Sequence, residues 1–342
     1  MKANDMQTGK IERHPEKMEI VCPAGTPASL KAAIAAGADT IYCGFRDETN
    51  ARNFPGLNFS EAEMEESILL AHRNGCKVLI AINTYPQAGN IDPWYRAIDN
   101  AAKFSADAII LADLGLLDYA KRKHPNLRLH LSVQAAAANP VSINYYAETF
   151  NVKRVVLPRI LSIQEVTALN KRISVETEVF AFGGLCVMAE GRCALSSYAT
   201  GKSPNMHGVC SPASHAKYIN TPGGTLSRLG DVTINKFGKG EAVGYPTLCK
   251  GRFIANAETS YLFEEPTSLS TISMLPELMQ AGVTAIKIEG RQRGKAYVSA
   301  VVETFRNAVN KAVRGETIDA SALLSFTEGG KNTKGAYDKK WR

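Results

Sequence analysis

Four cysteines in the middle of the chain carry the chemistry most readily read from residue type and spacing. Cys186, Cys193, Cys210 and Cys249 lie within 64 residues, separated by gaps of six, sixteen and thirty-eight. Glycines flank them: Gly183-Gly184-Leu185-Cys186, Gly191-Arg192-Cys193, Gly208-Val209-Cys210 and Cys249-Lys250-Gly251. Four thiolates gathered from such loops form a soft-metal site, an iron–sulfur cluster or zinc. Glycine lets the backbone approach closely and turn its amides toward sulfur. Structural zinc favours Cys-x-x-Cys knuckles, and the sequence has none. Two disulfides would use the same residues, but no charged-plus-apolar leader precedes residue 20, so a reducing, cytoplasmic setting is expected. Four independent buried thiols are the remaining use. The spacing favours the cluster. Cys22, Cys43 and Cys76 border apolar runs and read as core residues, although Cys22 and Cys43 would lie near any mouth formed by strand ends.

Composition narrows the setting. The 342 residues are 45% hydrophobic and 21% charged, ordinary for a soluble globular chain with one large core or two modest ones. No apolar run approaches the ~20 residues of a membrane-spanning helix. The formal charge is +7, but residues 1–17 hold four basic and three acidic groups and residues 328–342 hold five and two, leaving +3 for the body. A nucleic-acid partner is therefore not expected.

The elements that must position the cysteines follow one repeated theme. Short apolar runs alternate with amphipathic stretches, as a parallel α/β sheet requires. Strands are expected at 18–22, 39–44, 76–83, 108–113, 127–133, 154–157, 176–182 and 284–288. Helices are expected near 27–36, 60–74, 93–104, 116–123, 141–150, 163–172, 269–281 and 294–313. Eight strands and eight helices at intervals of ~25–30 residues predict an α/β fold, a TIM-like (βα)8 barrel. A long cysteine-bearing insertion, at about 183–266, follows strand 7, and such a long connection is usually functional. The organisation expected is an N-terminal tail over 1–17, then one barrel domain over 18–342 with a C-terminal extension at about 317–342. In a parallel barrel the site lies at the C-terminal strand ends. Those ends here are Cys22–Gly25, Cys43-Gly44, Asn83-Thr84, Asp113, Ser132–Gln134, Pro158-Arg159, Gly183-Gly184 and Glu289–Arg291.

Glu178-Val179-Phe180-Ala181-Phe182-Gly183-Gly184-Leu185-Cys186, followed by Gly191-Arg192-Cys193-Ala194-Leu195-Ser196, resembles the signature of the collagenase-like peptidase family of unknown catalytic type. Gly184 stands where that signature has serine or alanine. Thr49–Phe54, Ala81–Thr84, Leu111–Asp113, Leu157–Arg159, Ser196–Tyr198, Glu264–Leu269, Lys287–Arg293 and Gly335–Trp341 are similar to the family's ubiquinone-biosynthesis branch. The resemblance runs from about Met18 to Arg342 and leaves residues 1–17 without a counterpart.

That resemblance implies a [4Fe–4S] cluster on Cys186, Cys193, Cys210 and Cys249. It implies oxygen-independent hydroxylation of the aromatic ring of a prenylated quinone precursor. It also implies a heterodimer with a homologous UbiV-like subunit and a UbiT-like lipid-carrier protein in the same pathway. Relatives in the wider family hydroxylate RNA bases, with prephenate as the oxygen donor. A prephenate pocket must satisfy two carboxylates, which guanidinium forks bind bidentately. Arg52, Arg159, Arg291 and Arg293 fall at or just beyond strand ends, and Asn50, Asn83 and Gln134 add neutral hydrogen bonds. Glu289 is the candidate catalytic residue, to transfer a proton or orient an arginine, with a local Glu289–Arg291 ion pair as the plainer alternative. Tyr145, Tyr146 and Phe150 are candidates for a partner surface or for inward packing.

Three rivals stand beside this reading. A peptidase needs an activated nucleophile or metal-bound water, and the chain has neither His-Glu-x-x-His nor Gly-x-Ser-x-Gly. His72, His124 and His130 read as ordinary core or surface residues. An RNA-base hydroxylase needs a basic channel interleaved with aromatics. A cluster-bearing scaffold would tolerate loss of the mouth arginines.

Overall fold

A computed structural model describes residues 17–338, so the expected tail over 1–17 lies almost wholly outside the described residues. Eight parallel strands close a barrel: β1 (Glu19–Pro23), β2 (Thr40–Cys43), β3 (Lys77–Ile82), β4 (Ala108–Leu111), β5 (Leu129–Leu131), β6 (Val152–Val156), β7 (Glu176–Gly184) and, late in the chain, β14 (Ala285–Ile288). Closure is by β14, which pairs Ile20 with Ile286 on one side and Val179 with Ile286 on the other. Strands β2 and β4 are buried on both faces, as in any parallel sheet walled by helices.

The helices are α1 (Pro27–Ala35), α2 (Glu61–Arg73), α3 (Asp92–Lys103), α4 (Leu114–Lys123), α5 (Pro140–Phe150) and α6 (Ile163–Asn170) around the first six crossovers. Their starts are written locally. Ser60 with Glu63 and Ser162 with Glu165 make capping boxes, and Asp113 accepts the Leu116 amide at 3.0 Å. Asp113 and Ser132, two polar strand ends, are thus spent on turns rather than on chemistry. On α5, Phe150 is buried while Tyr145 is half exposed, so that aromatic group is divided between core and surface.

Period-two alternation divides the strand residues into two cores. Ile20, Ile41, Ile80, Ile109 and their neighbours pack outward on the helices, whereas Val21, Tyr42, Leu79, Ala108, Ile110 and Ala285 fill the lumen. Beside and below that apolar plug the lumen is ionic, with Lys287 Nζ 3.8 Å from the Tyr42 ring centroid. Arg154 reaches Glu19 at 2.6 Å, Glu176 at 2.7 Å and Glu178 at 3.4 Å, and Lys287 holds Glu178 at 2.6 Å. Such groups survive burial because each charge meets its opposite.

The insertion is folded. It carries α7 (Leu195–Thr200), α8 (Pro204–His207), a three-stranded antiparallel sheet of β8 (Ala216–Thr221), β9 (Gly224–Leu229) and β10 (Val232–Phe237), and a hairpin of β11 (Arg252–Ala255) and β12 (Glu258–Tyr261). The chain returns at β13 (Ser268–Ser270), antiparallel to the last residues of β7. The helix expected at 269–281 is corrected accordingly. Leu269 lies in β13, and only α9 (Leu275–Gln280) is helical beyond a short 3-10 turn. Backbone bonding to β7 outcompetes the helical pattern there. After α10 (Lys295–Val313), the C-terminal segment adds β15 (Asn332–Thr333) beside β13 and buries Tyr337, whose hydroxyl donates to the Phe180 carbonyl at 3.1 Å. No helix among the described residues is long and apolar enough to cross a membrane.

Candidate active site at the barrel mouth

The C-terminal strand ends bring together an arginine–carboxylate network. Arg159, three residues past β6, is buried, with its guanidinium 3.6 Å from the Phe180 ring centroid. It forks between two carboxylates: Glu289, just after β14, and Glu190, in the loop between Cys186 and Cys193. Glu289 also takes Arg52 at 3.3 Å. Burial alone would raise Glu289, but Arg159 and Arg52 outweigh it and hold the carboxyl below its ordinary range. Glu190 has only Arg159, and burial wins, pushing that carboxyl up. Two carboxylates on one guanidinium therefore titrate apart, the pattern expected of a functional site as well as of a structural network.

Arg291 is different. It is 5% exposed and donates to Asn50 Oδ1 at 2.9 Å and to Asn58 Oδ1, both neutral. The Glu289–Arg291 pair considered from sequence does not form, because Glu289 is turned to Arg52 and Arg159. Burial pulls Arg291 down to about 10.

The remaining candidates divide. Asn83 is used structurally, accepting from the Ala51 amide at 2.9 Å and donating to Ser132 Oγ at 3.0 Å. Asn50 also braces its own loop, donating to the Phe45 carbonyl at 2.7 Å. Gln134 is buried with Oε1 unpartnered. Arg293 is exposed, its guanidinium 5.4 Å from the Tyr297 ring centroid, and it makes no described contact with the network. A separate cleft of about 620 Å³, lined by Glu19, Asp39, Lys77 and Arg306, lies at the N-terminal strand ends, the face barrels use for stability rather than chemistry.

The cysteines arrive over this mouth on loops that only glycine permits. A Cβ on Gly191 (φ +80) would lie 2.0 Å from the Gln134 carbonyl oxygen, and one on Gly208 (φ +75) would lie 2.5 Å from that of Asn50. All four thiols are free of disulfides. Cys186 is pushed up to about 11, by burial first and then by Glu190, against Arg159. Cys249 is pushed up to about 12 by burial first, with the charges of Cys186, Cys210 and Cys193 adding to it. The four thus share one neighbourhood, and Arg52 feels Cys210 while Arg159 feels Cys186. Among the described residues no three His, Cys, Asp or Glu side chains are placed to hold a single ion. The donor set is all thiol, which by its chemistry fits an iron–sulfur cluster or another soft metal.

Sequence reasoning passed over Glu190 and Asn58. Glu190 is the lone carboxylate between two cysteines, and that isolation was its signal. Asn58 left a fainter one, since its φ of +72 is a conformation that asparagine tolerates.

Residues 25–335 match peptidase family U32. The chain is 29% identical over 334 residues to tRNA hydroxylation protein P of Escherichia coli (strain K12), covering 92% of this chain and 72% of that protein. It is 28% identical over 311 residues to the 23S rRNA 5-hydroxycytidine C2501 synthase of the same organism, covering 90% of this chain but 42% of that one. Among solved structures it is similar to the U32 peptidase Mk0906, with a TM-score of 0.47, 14% identity and coverage of 82% and 96%.

Proposed function

The chain belongs to peptidase family U32, and from that premise we propose that it is the iron–sulfur subunit of an oxygen-independent hydroxylase, of the UbiU-like branch, acting on the aromatic ring of a ubiquinone precursor. One observation carries the proposal: four free cysteines share a neighbourhood directly over a buried arginine–carboxylate network. Cys186, Cys193, Cys210 and Cys249 would hold a [4Fe–4S] cluster, which supplies electron transfer when bound. Prephenate is the proposed oxygen donor, bound among the mouth arginines. Glu289 is the residue to hold or move a proton, since its carboxylate is kept ionised between Arg52 and Arg159. The activity is proposed to need a UbiV-like partner, with a UbiT-like carrier presenting the prenylated ring, in the cytoplasm.

RNA is the second substrate reading. Its support is the similarity to a tRNA hydroxylation protein and to a 23S rRNA 5-hydroxycytidine synthase. One experiment separates the two. The protein is purified anaerobically, alone and with its partner co-expressed, and assayed for iron and acid-labile sulfide. Cells lacking it are then grown without oxygen, and both quinones and modified nucleosides are measured by mass spectrometry. Iron and sulfide near four each per chain, with a loss of quinone and no change in nucleosides, is the expected result. Zinc in place of iron would overturn the cofactor, and a lost hydroxynucleoside with normal quinone would overturn the substrate.

A further inference from the structure

Among the described residues, the ion pairs at the mouth join two guanidiniums, Arg52 and Arg159, to two carboxylates, Glu190 and Glu289, and leave a third guanidinium, Arg291, outside them. Arg159 is matched by Glu190 and Glu289, and Arg52 by Glu289. Among the described residues no Asp or Glu pairs with Arg291, although its charge is as buried as that of Arg159. Its recorded partners are two amide oxygens, and its Nε is buried with no partner at all. A buried charge left without a counter-ion is costly, and proteins pair such charges or hold an ion there.

Glycines make room for both the backbone and the guanidinium of this residue. A Cβ on Gly44 would lie 2.6 Å from Arg291 Nη2, and a Cβ on Gly25 would lie 1.9 Å from the Arg291 carbonyl oxygen. Asn50 and Asn58 both accept from Nη2, and Nε is left as a buried donor with no acceptor. Its N–H lies in the guanidinium plane, where a carboxylate oxygen is met most favourably.

We propose that Arg291, fixed by Asn50 and Asn58, is a subsite for a single ligand carboxylate, and that Arg52 and Arg159 do not serve as ligand clamps. The inference rests on the mouth being the ligand site of the hydroxylase, and it narrows the dicarboxylate expectation. A donor with two carboxylates has one guanidinium waiting for it, and its second carboxylate must lie toward solvent or displace Glu289. Arg52 and Arg159 instead position Glu289 and the cysteine loop.

The test uses the purified full-length protein, with its partner if the pair is needed for solubility. Thermal shift and calorimetry compare acetate, phenylpyruvate (one carboxylate) and prephenate (two) against chloride at matched ionic strength. Wild type is expected to be stabilised by all three carboxylates, with phenylpyruvate and prephenate within about tenfold of each other in affinity. Arg291→Gln should weaken phenylpyruvate by at least about tenfold, Arg291→Lys should weaken it less, and Arg52→Gln should leave it within about threefold. No carboxylate-specific stabilisation of wild type would overturn the subsite without any variant, so a misfolded Arg291→Gln does not shield it. Equal phenylpyruvate affinity in wild type and folded Arg291→Gln would overturn it as well. Carboxylate binding that depends on Arg291 in a protein whose loss leaves quinones unchanged would uphold the subsite while sinking the hydroxylase reading.

Discussion

Replacing Gly191 with alanine tests whether the cysteine loop is seated on the barrel mouth by backbone contact. Two costs add. The first is conformational: an L-residue at φ +80 is disfavoured by ~1–2 kcal/mol. The second is collision, because the new Cβ would lie 2.0 Å from the Gln134 carbonyl oxygen, where side-chain carbons essentially never come within 3.0 Å. Either the Gln134 turn or the loop must move by roughly 1 Å, and such overpacking costs a further ~1–3 kcal/mol. Gly75→Ala isolates the first cost, since Gly75 has φ +72 and nothing within 4 Å of the added carbon. Urea denaturation should therefore place Gly191→Ala ~2–5 kcal/mol below wild type and Gly75→Ala only ~1–2. A thiol reagent under native conditions should modify Cys193 faster in Gly191→Ala and at the wild-type rate in Gly75→Ala. Equal stabilities and equal labelling rates for the two variants would refute the seating.

Three further outcomes follow from the same architecture. Serine at any one of Cys186, Cys193, Cys210 or Cys249 should sharply reduce iron loading, whereas Cys76→Ala should not; elemental analysis after anaerobic purification decides. Stability should fall with acid in two stages. Burial holds His130 well below its ordinary range, so its contribution is complete above about pH 6.5 and is lost as pH falls below that. Burial would raise Glu19, but Arg154 outweighs it and holds the carboxyl at about 2 against an ordinary 4.5, so its stabilisation is lost as pH falls from 4.5 toward 2. A melting temperature that stays flat from pH 7 to pH 3 would contradict both. Tyr337→Phe should cost ~1 kcal/mol for the lost hydrogen bond and Tyr337→Ala ~3–5 for the emptied core, measured by denaturant unfolding.

The barrel was legible because its strands are short, largely apolar runs at regular intervals and its helices announce their starts with Ser60, Asp113 and Ser162. Inside the insertion that logic fails. Strand β8 exposes Lys217, Tyr218, Ile219 and Asn220 in succession, so no alternation marks it as a strand. Leu269 was misplaced for the opposite reason, an apolar stretch that reads as helix until its pairing with β7 is known. At the mouth, residue types and strand-end positions were enough to gather Arg52, Arg159, Arg291 and Glu289. Pairing was not legible, because Glu190 approaches from a loop whose path depends on Gly191. Nor could the sequence separate a matched arginine from an unmatched one, which is a matter of burial and partners.

The two ends of the insertion are cross-strand neighbours, with Ser268 opposite Gly184 on the same barrel strand. The chain leaves and comes back through one doorway, so the barrel's closure between β7 and β14 owes nothing to what lies between. A segment attached this way is a cassette. It can lengthen, shorten or be exchanged in evolution without altering the strand register, while the face it presents beyond the mouth is free to change. The surface that greets a substrate can thus be exchanged as a unit, provided its first loop keeps a carboxylate where Glu190 meets Arg159.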